Sequence, residues 1–158
     1  MSVLARNRII TIVEATTPDA SFDSGVRFRC VQDGSGAIES VAVAVSGGAV
    51  REFSLQSSGP RPWTTAYVSS PTWFQELHLF LGYSYAAGSD LEYLERMMDA
   101  DVRSLIQRLA DPNNWNGSTD EIDSIEFGEA PNEDIIVGED EESSVGVIRA
   151  IPFSLIHT

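Results

Sequence analysis

The 158-residue chain contains no lysine; all 10 of its basic residues are arginine. A phosphate-binding loop of the GxxxxGK[ST] type, a Schiff-base lysine and a lysine general base are therefore excluded. One cysteine, Cys30, rules out an internal disulfide, and its place in an alternating stretch reads as buried filler. No apolar run approaches the length that crosses a bilayer, so no membrane association is expected. Arg6 and Arg8 precede neither a long apolar core nor a small-residue cleavage site, so no signal peptide is expected. Bases are scarce: 10 stand against 24 acids, a net charge of −14. That balance argues against tight binding to nucleic acid, whose phosphates must be met by cations. The acidity is either local, repelling a polyanion from one surface, or global, as in a protein working in concentrated salt. Unchanged stability on dialysis into low salt would remove the second explanation.

The length fits one domain able to bury a sizeable core. A hydrophobic fraction of 42% with 9% aromatics marks a globular chain. Ser2 to about Thr16 reads as a helix, with Val3, Ile9, Ile10 and Val13 roughly on one side and Thr16-Thr17-Pro18 as its stop. In GVRFRCVQDG, Val26, Phe28 and Cys30 alternate with Arg27 and Arg29, a strand with one buried face. AIESVAVAVSGG and REFSLQ read as strands joined by a hairpin turn at Gly47-Gly48, with Phe53 and Leu55 sharing a face. SSGPRPWTTAYVSSPT reads as a long loop with one short edge strand.

WFQELHLFLGYSYAAG is the clearest strand. Leu77, Leu79, Leu81, Tyr83 and Tyr85 share one face, opposite Glu76, His78, Gly82 and Ser84. A capping box, Ser89-Asp90-Leu91-Glu92, then opens the main helix, whose stripe is Leu91, Leu94, Met98, Val102, Leu105 and Leu109, widened by Met97 and Ile106. It ends at Asp111, before Pro112. IDSIEFGEA reads as a strand, PNEDIIVGEDEESS as a polar connection with a short apolar centre, and VGVIRAIPFSLIHT as the closing strand. In the closing strand Val145, Val147, Ile151, Phe153 and Leu155 share a side, and Pro152 demands an edge or a bulge. This order predicts an α+β domain: a mostly antiparallel sheet with an N-terminal helix and one long amphipathic helix packed on one face.

No catalytic, cofactor or metal residues emerge. DPNNWNGSTDEI has the texture of a calcium loop, but Gly117 falls at position seven instead of six and Ile122 stands where the closing glutamate belongs. Glu133, Asp134, Glu139, Asp140, Glu141 and Glu142 read as a solvated charged loop. The glycines of DGSGAIE lack a third partner, and VAVSGGAV lacks the glycine before the serine of a nucleophile elbow. His78 and His157 are tied to no nucleophile or orienting acid. The aromatics Trp63, Tyr67, Trp73, Phe74 and Trp115 either make partner contacts or fold back on the domain.

The order WFQELHLFLGYSY, a helix ending in RLADPNNW, IDSIEFGEA, the acidic NEDIIVGEDEE and VGVIRAIPFSLIHT carries a resemblance. Residues 73 to 158 resemble the tail terminator (tail completion) proteins of long-tailed bacterial and archaeal viruses, and the N-terminal helix fits loosely. Residues 21–72 depart from the resemblance, with extra strands and the proline-bearing loop. The resemblance implies a non-enzymatic virion protein without cofactors. It further implies a homo-oligomeric ring of six subunits at the head–tail junction, assembled in the host cytoplasm. Its partners would be the tail tube protein and the neck or head-completion proteins, and DNA would pass through the lumen without tight binding. Two alternatives stand beside it: another neck component, such as a head-completion or stopper ring, and a small cytosolic hydrolase using His78 with a distant acid.

Overall fold

The computed structural model of the chain describes residues 3–22, 25–30, 51–57, 59–63, 72–86, 91–115, 122–128, 134–140 and 144–157. The elements run α1 (Val3–Ala15), β1 (Arg29–Cys30), β2 (Glu52–Ser57), β3 (Arg61–Pro62), β4 (Trp73–Ala86), α2 (Leu91–Ala110), a 3-10 turn (Pro112–Asn114), β5 (Ile122–Phe127), β6 (Asp134–Asp140) and β7 (Ser144–His157). They form the expected α+β architecture. Expected features at Ala37–Gly48, Tyr67 and the Ser89 cap lie outside the described residues.

The sheet is built on its two long strands. β4 and β7 pair antiparallel along their whole length, from Trp73 opposite His157 to Ala86 opposite Ser144. β4 also pairs with β2 and β3, and β7 with β6 and β5, giving the order β1-β2-β4-β7-β5 with β3 and β6 alongside. Alternation along a strand sends Phe53, Leu55, Leu77, Leu79, Leu81, Tyr83, Val147, Ile151, Phe153 and Leu155 to one face, all buried. Both helices cover that face. α1 contributes Ala5, Ile9, Ile12 and Val13, and α2 contributes Leu94, Met97, Met98, Val102, Leu105 and Leu109. The spacing by three and four residues is the helical stripe that a sheet face accepts.

Both helix ends are tied locally. Thr16 Oγ1 donates to Ile12 O at 2.8 Å as α1 stops before Pro18. At the end of α2, Asn114 Nδ2 donates to Arg108 O at 2.9 Å and Trp115 Nε1 donates to Leu109 O at 2.6 Å, satisfying carbonyls that lack helical partners.

Several sequence expectations change. The α1 stripe uses Ala5 and Ile12, whereas Ile10 is only half-buried. GVRFRC keeps its alternation, with Phe28 buried and Arg27 and Arg29 exposed, but only Arg29–Cys30 is strand. That strand runs parallel to β2, whereas the other described pairs are antiparallel. The polar connection expected at Asp134–Asp140 is strand β6, a hairpin partner of β7 with a register shift between Ile136 and Gly138. Three β-branched residues, Ile135 to Val137, favour a pleated conformation more than the flanking acids oppose it. Pro152 sits in an interior strand rather than an edge one. The β6 pairing stops at Arg149 and β5 begins at Phe153, so at Ala150–Pro152 the described strands flank β7 only on the β4 side. A residue without an N–H fits such a one-sided stretch.

Candidate interaction surface

The second face of the sheet carries no described helix. Its residues lie in cross-strand rows: Ser54, Phe80 and Ala150; Gln56, His78 and Pro152; Glu76, Ser154 and Glu126; Phe74, Ile156 and Ser124. Glu52, Ser54 and Ile148 at one end are buried, while Gln56, Glu76, His78 and Glu126 are exposed. At the exposed end β3 lies against the start of β4 and builds an aromatic–arginine cluster. The Trp63 ring stacks on Phe74 with centroids 5.3 Å apart and planes 20° apart. On the same ring, the Arg61 guanidinium sits 4.4 Å from the centroid. Trp63 N donates to Thr72 O at 2.9 Å, fixing the backbone that carries the indole. Trp63 remains 53% exposed, the one large apolar side chain so placed among the described residues. Water contact over that much indole opposes burial-driven packing, so the cluster has the composition of a protein-contact patch.

The other aromatics divide. Trp115 folds back, half-buried against the core, and Trp73 is half-buried opposite His157. His78 is exposed and stacked on Phe80 at 5.9 Å, with Gln56 and Pro152 opposite it on the neighbouring strands. His157 is buried on the helix-covered face, so the two histidines are not brought together. His78→Ala is therefore expected to change stability by less than about 0.5 kcal/mol, as for exposed positions generally. A calorimetric melting shift of several degrees would show that the ring is tied in more tightly than its exposure indicates.

Sequence reasoning missed a buried polar network. Arg51 and Asp101 have fully buried side chains, with Arg51 Nε donating to Asp101 Oδ2 at 2.7 Å. Tyr83 Oη donates to the same oxygen at 2.9 Å. Arg51 Nη1 donates to Val26 O at 3.0 Å, and its Nη2 donates to Phe22 O. One guanidinium thus ties β2, α2 and the segment before β1. Asp101 Oδ1 is buried without a hydrogen-bond partner. Burial raises the Asp101 pKa against the lowering pull of Arg51. Tyr83 is raised well above 10.0, first by burial and then by the Asp101 charge. The Arg51 and Asp101 side chains are sealed from solvent and hold three segments together, a structural arrangement.

The signs follow from linkage. Tyr83 stays protonated in the fold where an unfolded tyrosine ionises, so its contribution is whole below pH 10.0 and is lost as pH rises through its folded value. Denaturant titrations should therefore show stability falling more steeply above pH 10.0 in the parent than in Tyr83→Phe. Equal slopes would contradict the raised value. For Asp101, likewise raised, the contribution is present below 3.8 and lost as pH rises through its folded value.

The remaining candidates do not converge. Asp111 Oδ1 accepts Asn113 N–H at 3.0 Å and caps the 3-10 turn, and Ile122 is buried at the start of β5. Asp123 and Glu126 are exposed on β5, Asp134, Glu139 and Asp140 lie within β6, and Glu133, Glu141 and Glu142 fall outside the described residues. Among the described residues no three His, Cys, Asp or Glu side chains gather as a metal site, and no helix is long and apolar enough to cross a membrane. Cys30 is half-buried against the core. A polar surface groove of about 440 Å³ runs between the C-terminal ends of α1 and α2, past Thr17, Ser104, Gln107, Arg108, Asp111 and Asn114. Compared with protein-family models and with curated proteins, the chain matches none.

Proposed function

We propose that the chain is a structural virion protein of the tail-terminator kind, a ring subunit that caps the tail tube and joins it to the neck while DNA passes. The observation that carries this reading is the Trp63–Phe74–Arg61 cluster on the sheet face that carries no described helix. It offers a partner apolar area and a cation at one place. The helix-backed sheet with its long β4–β7 pair supplies a rigid body for a ring, whose head-to-tail contacts close by rotation. Acids between Asp120 and Glu142, with no base among them, suit a channel that repels phosphates.

Mass analysis of purified virus particles tests the assignment: the polypeptide should be present, and located at the head–tail joint by labelling. Its absence from infectious particles would end this reading. Trp63→Ala should leave stability within about 0.5 kcal/mol of the parent and yet abolish joining in an assembly assay, because truncation of a central aromatic removes contact area without touching the core. Normal joining by that variant would move the contact elsewhere.

A further inference from the structure

One guanidinium gathers the segment from Asp19 to Cys30 onto the body of the protein. Arg51 Nη1 donates to Val26 O at 3.0 Å, and Nη2 donates to Phe22 O. Arg29 N donates back to Arg51 O at 3.0 Å. The guanidinium carbon also lies 5.9 Å from the centroid of the Phe28 ring. Among the described residues of this segment Phe28 alone is buried. Phe22 is half-buried, its ring 5.4 Å from that of Tyr93 on α2. Two further attachments face water. Arg27, which is exposed, donates to Thr17 Oγ1 at 3.1 Å and Ala15 O at 3.2 Å, and the largely exposed Arg29 side chain pairs with Glu52. Strand β1 covers the edge of β2 with only two residues, in the manner of a short strand that shields a sheet edge.

What the segment covers is costly to keep dry. Arg51 and Asp101 form an ion pair with fully buried side chains, and both charges have given up their hydration. Asp101 Oδ1 is buried without a hydrogen-bond partner, so its loss of water is not replaced. Burial first, and then the like charge of Asp19 on the segment itself, raise the Asp101 pKa against the pull of Arg51. Closed, the segment gains the burial of Phe28, the Phe22–Tyr93 contact and the hydrogen bonds around Arg51. Lifted, it lets water reach the ion pair and the orphaned oxygen, and it separates two carboxylates. These opposing terms make opening here far cheaper than unfolding the sheet. We infer that the segment from Asp19 to Cys30 is a strap that lifts from the body as one unit while both helices and the long β4–β7 pair stay folded. Lifting opens the Arg51–Asp101 pair and the outer edge of β2 to solvent. The strap is a property of the fold and does not depend on the ring reading.

Native-state hydrogen exchange of the full chain tests it, read at the Arg29 amide for the strap and at the Leu81 amide for the sheet. Arg29 should exchange about tenfold or more faster than Leu81, through an opening that leaves the sheet intact. Urea below the unfolding transition should speed Leu81 and barely change Arg29, because denaturant sensitivity scales with the surface exposed. Leu79→Ala should speed Leu81 about thirtyfold or more through the lost core burial, and leave Arg29 within about twofold. Phe22→Ala removes the contact with Tyr93 and should speed the Arg29 amide about fivefold or more. An Arg29 amide that follows Leu81 in urea and in Leu79→Ala would show that the strap leaves only on global unfolding, and would overturn the inference. Exchange of Arg29 at the rate of an unstructured peptide, or no change at Arg29 in Phe22→Ala, would overturn it as well. The urea series on the parent makes the comparison without any substitution, so it holds even where a variant does not fold.

Discussion

Asp101→Ala is expected to destabilise the fold by about 3–5 kcal/mol, the range found when one member of a buried ion pair is removed. The loss is large because Arg51 would remain charged with a fully buried side chain, and Tyr83 would lose its acceptor. The carbonyls of Val26 and Phe22 cannot replace a carboxylate charge. Removing both ions together should be much milder. Arg51→Met with Asp101→Leu takes away two desolvation penalties along with the attraction, and apolar replacements of buried pairs are often neutral or stabilising. Urea unfolding of the parent, the single and the double variant gives the comparison. A single variant within 1 kcal/mol of the parent, on the order of one ordinary hydrogen bond, would mean that water reaches Arg51.

Leu79→Ala is the second large effect, at about 2–5 kcal/mol from lost transfer energy and the cavity left behind. Leu79 is 0% exposed at the centre of the sheet, with Leu55 and Ile151 opposite it on the two flanking strands. Two long, fully paired strands hold the backbone there, so collapse around the missing methyl groups is restricted and the upper half of the range is expected. The adjacent His78 points to the other face, and the contrast between the two positions tests which face is the core. Comparable losses at both would require a second buried layer over His78.

Helix α2 and strand β4 were readable because each carries a long, nearly uninterrupted period. Leu94, Met98, Val102, Leu105 and Leu109 keep helical spacing, and Leu77 to Tyr83 alternate without a break. Asp101 was visible in principle, since it falls inside that same apolar stripe, three residues after Met98 and four before Leu105. A carboxylate at a core position implies a buried cation, and Arg51 sits two residues before Phe53 on the same strand face. Other features follow from pairing between distant segments and leave no local trace. The parallel register of Arg29 with Glu52 is one, and the one-sided stretch at Pro152 is another. Strand β6 was obscured by its acids, although Ile135-Ile136-Val137 carried the β signal. The Trp63–Phe74 stack combines both cases: the proline-bearing loop left open whether Trp63 meets a partner or folds back, and only the β3–β4 register shows that it rests on Phe74.

Electron microscopy of virus lysates made with the gene for this chain deleted reaches the central claim most directly. Tails of irregular excess length that fail to join filled heads are the expected result, with complementation by the parent chain but not by Trp63→Ala. Normal, infectious particles from the deletion would contradict the claim, and leakage of packaged DNA from heads with tails of normal length would place the chain in a stopper ring instead.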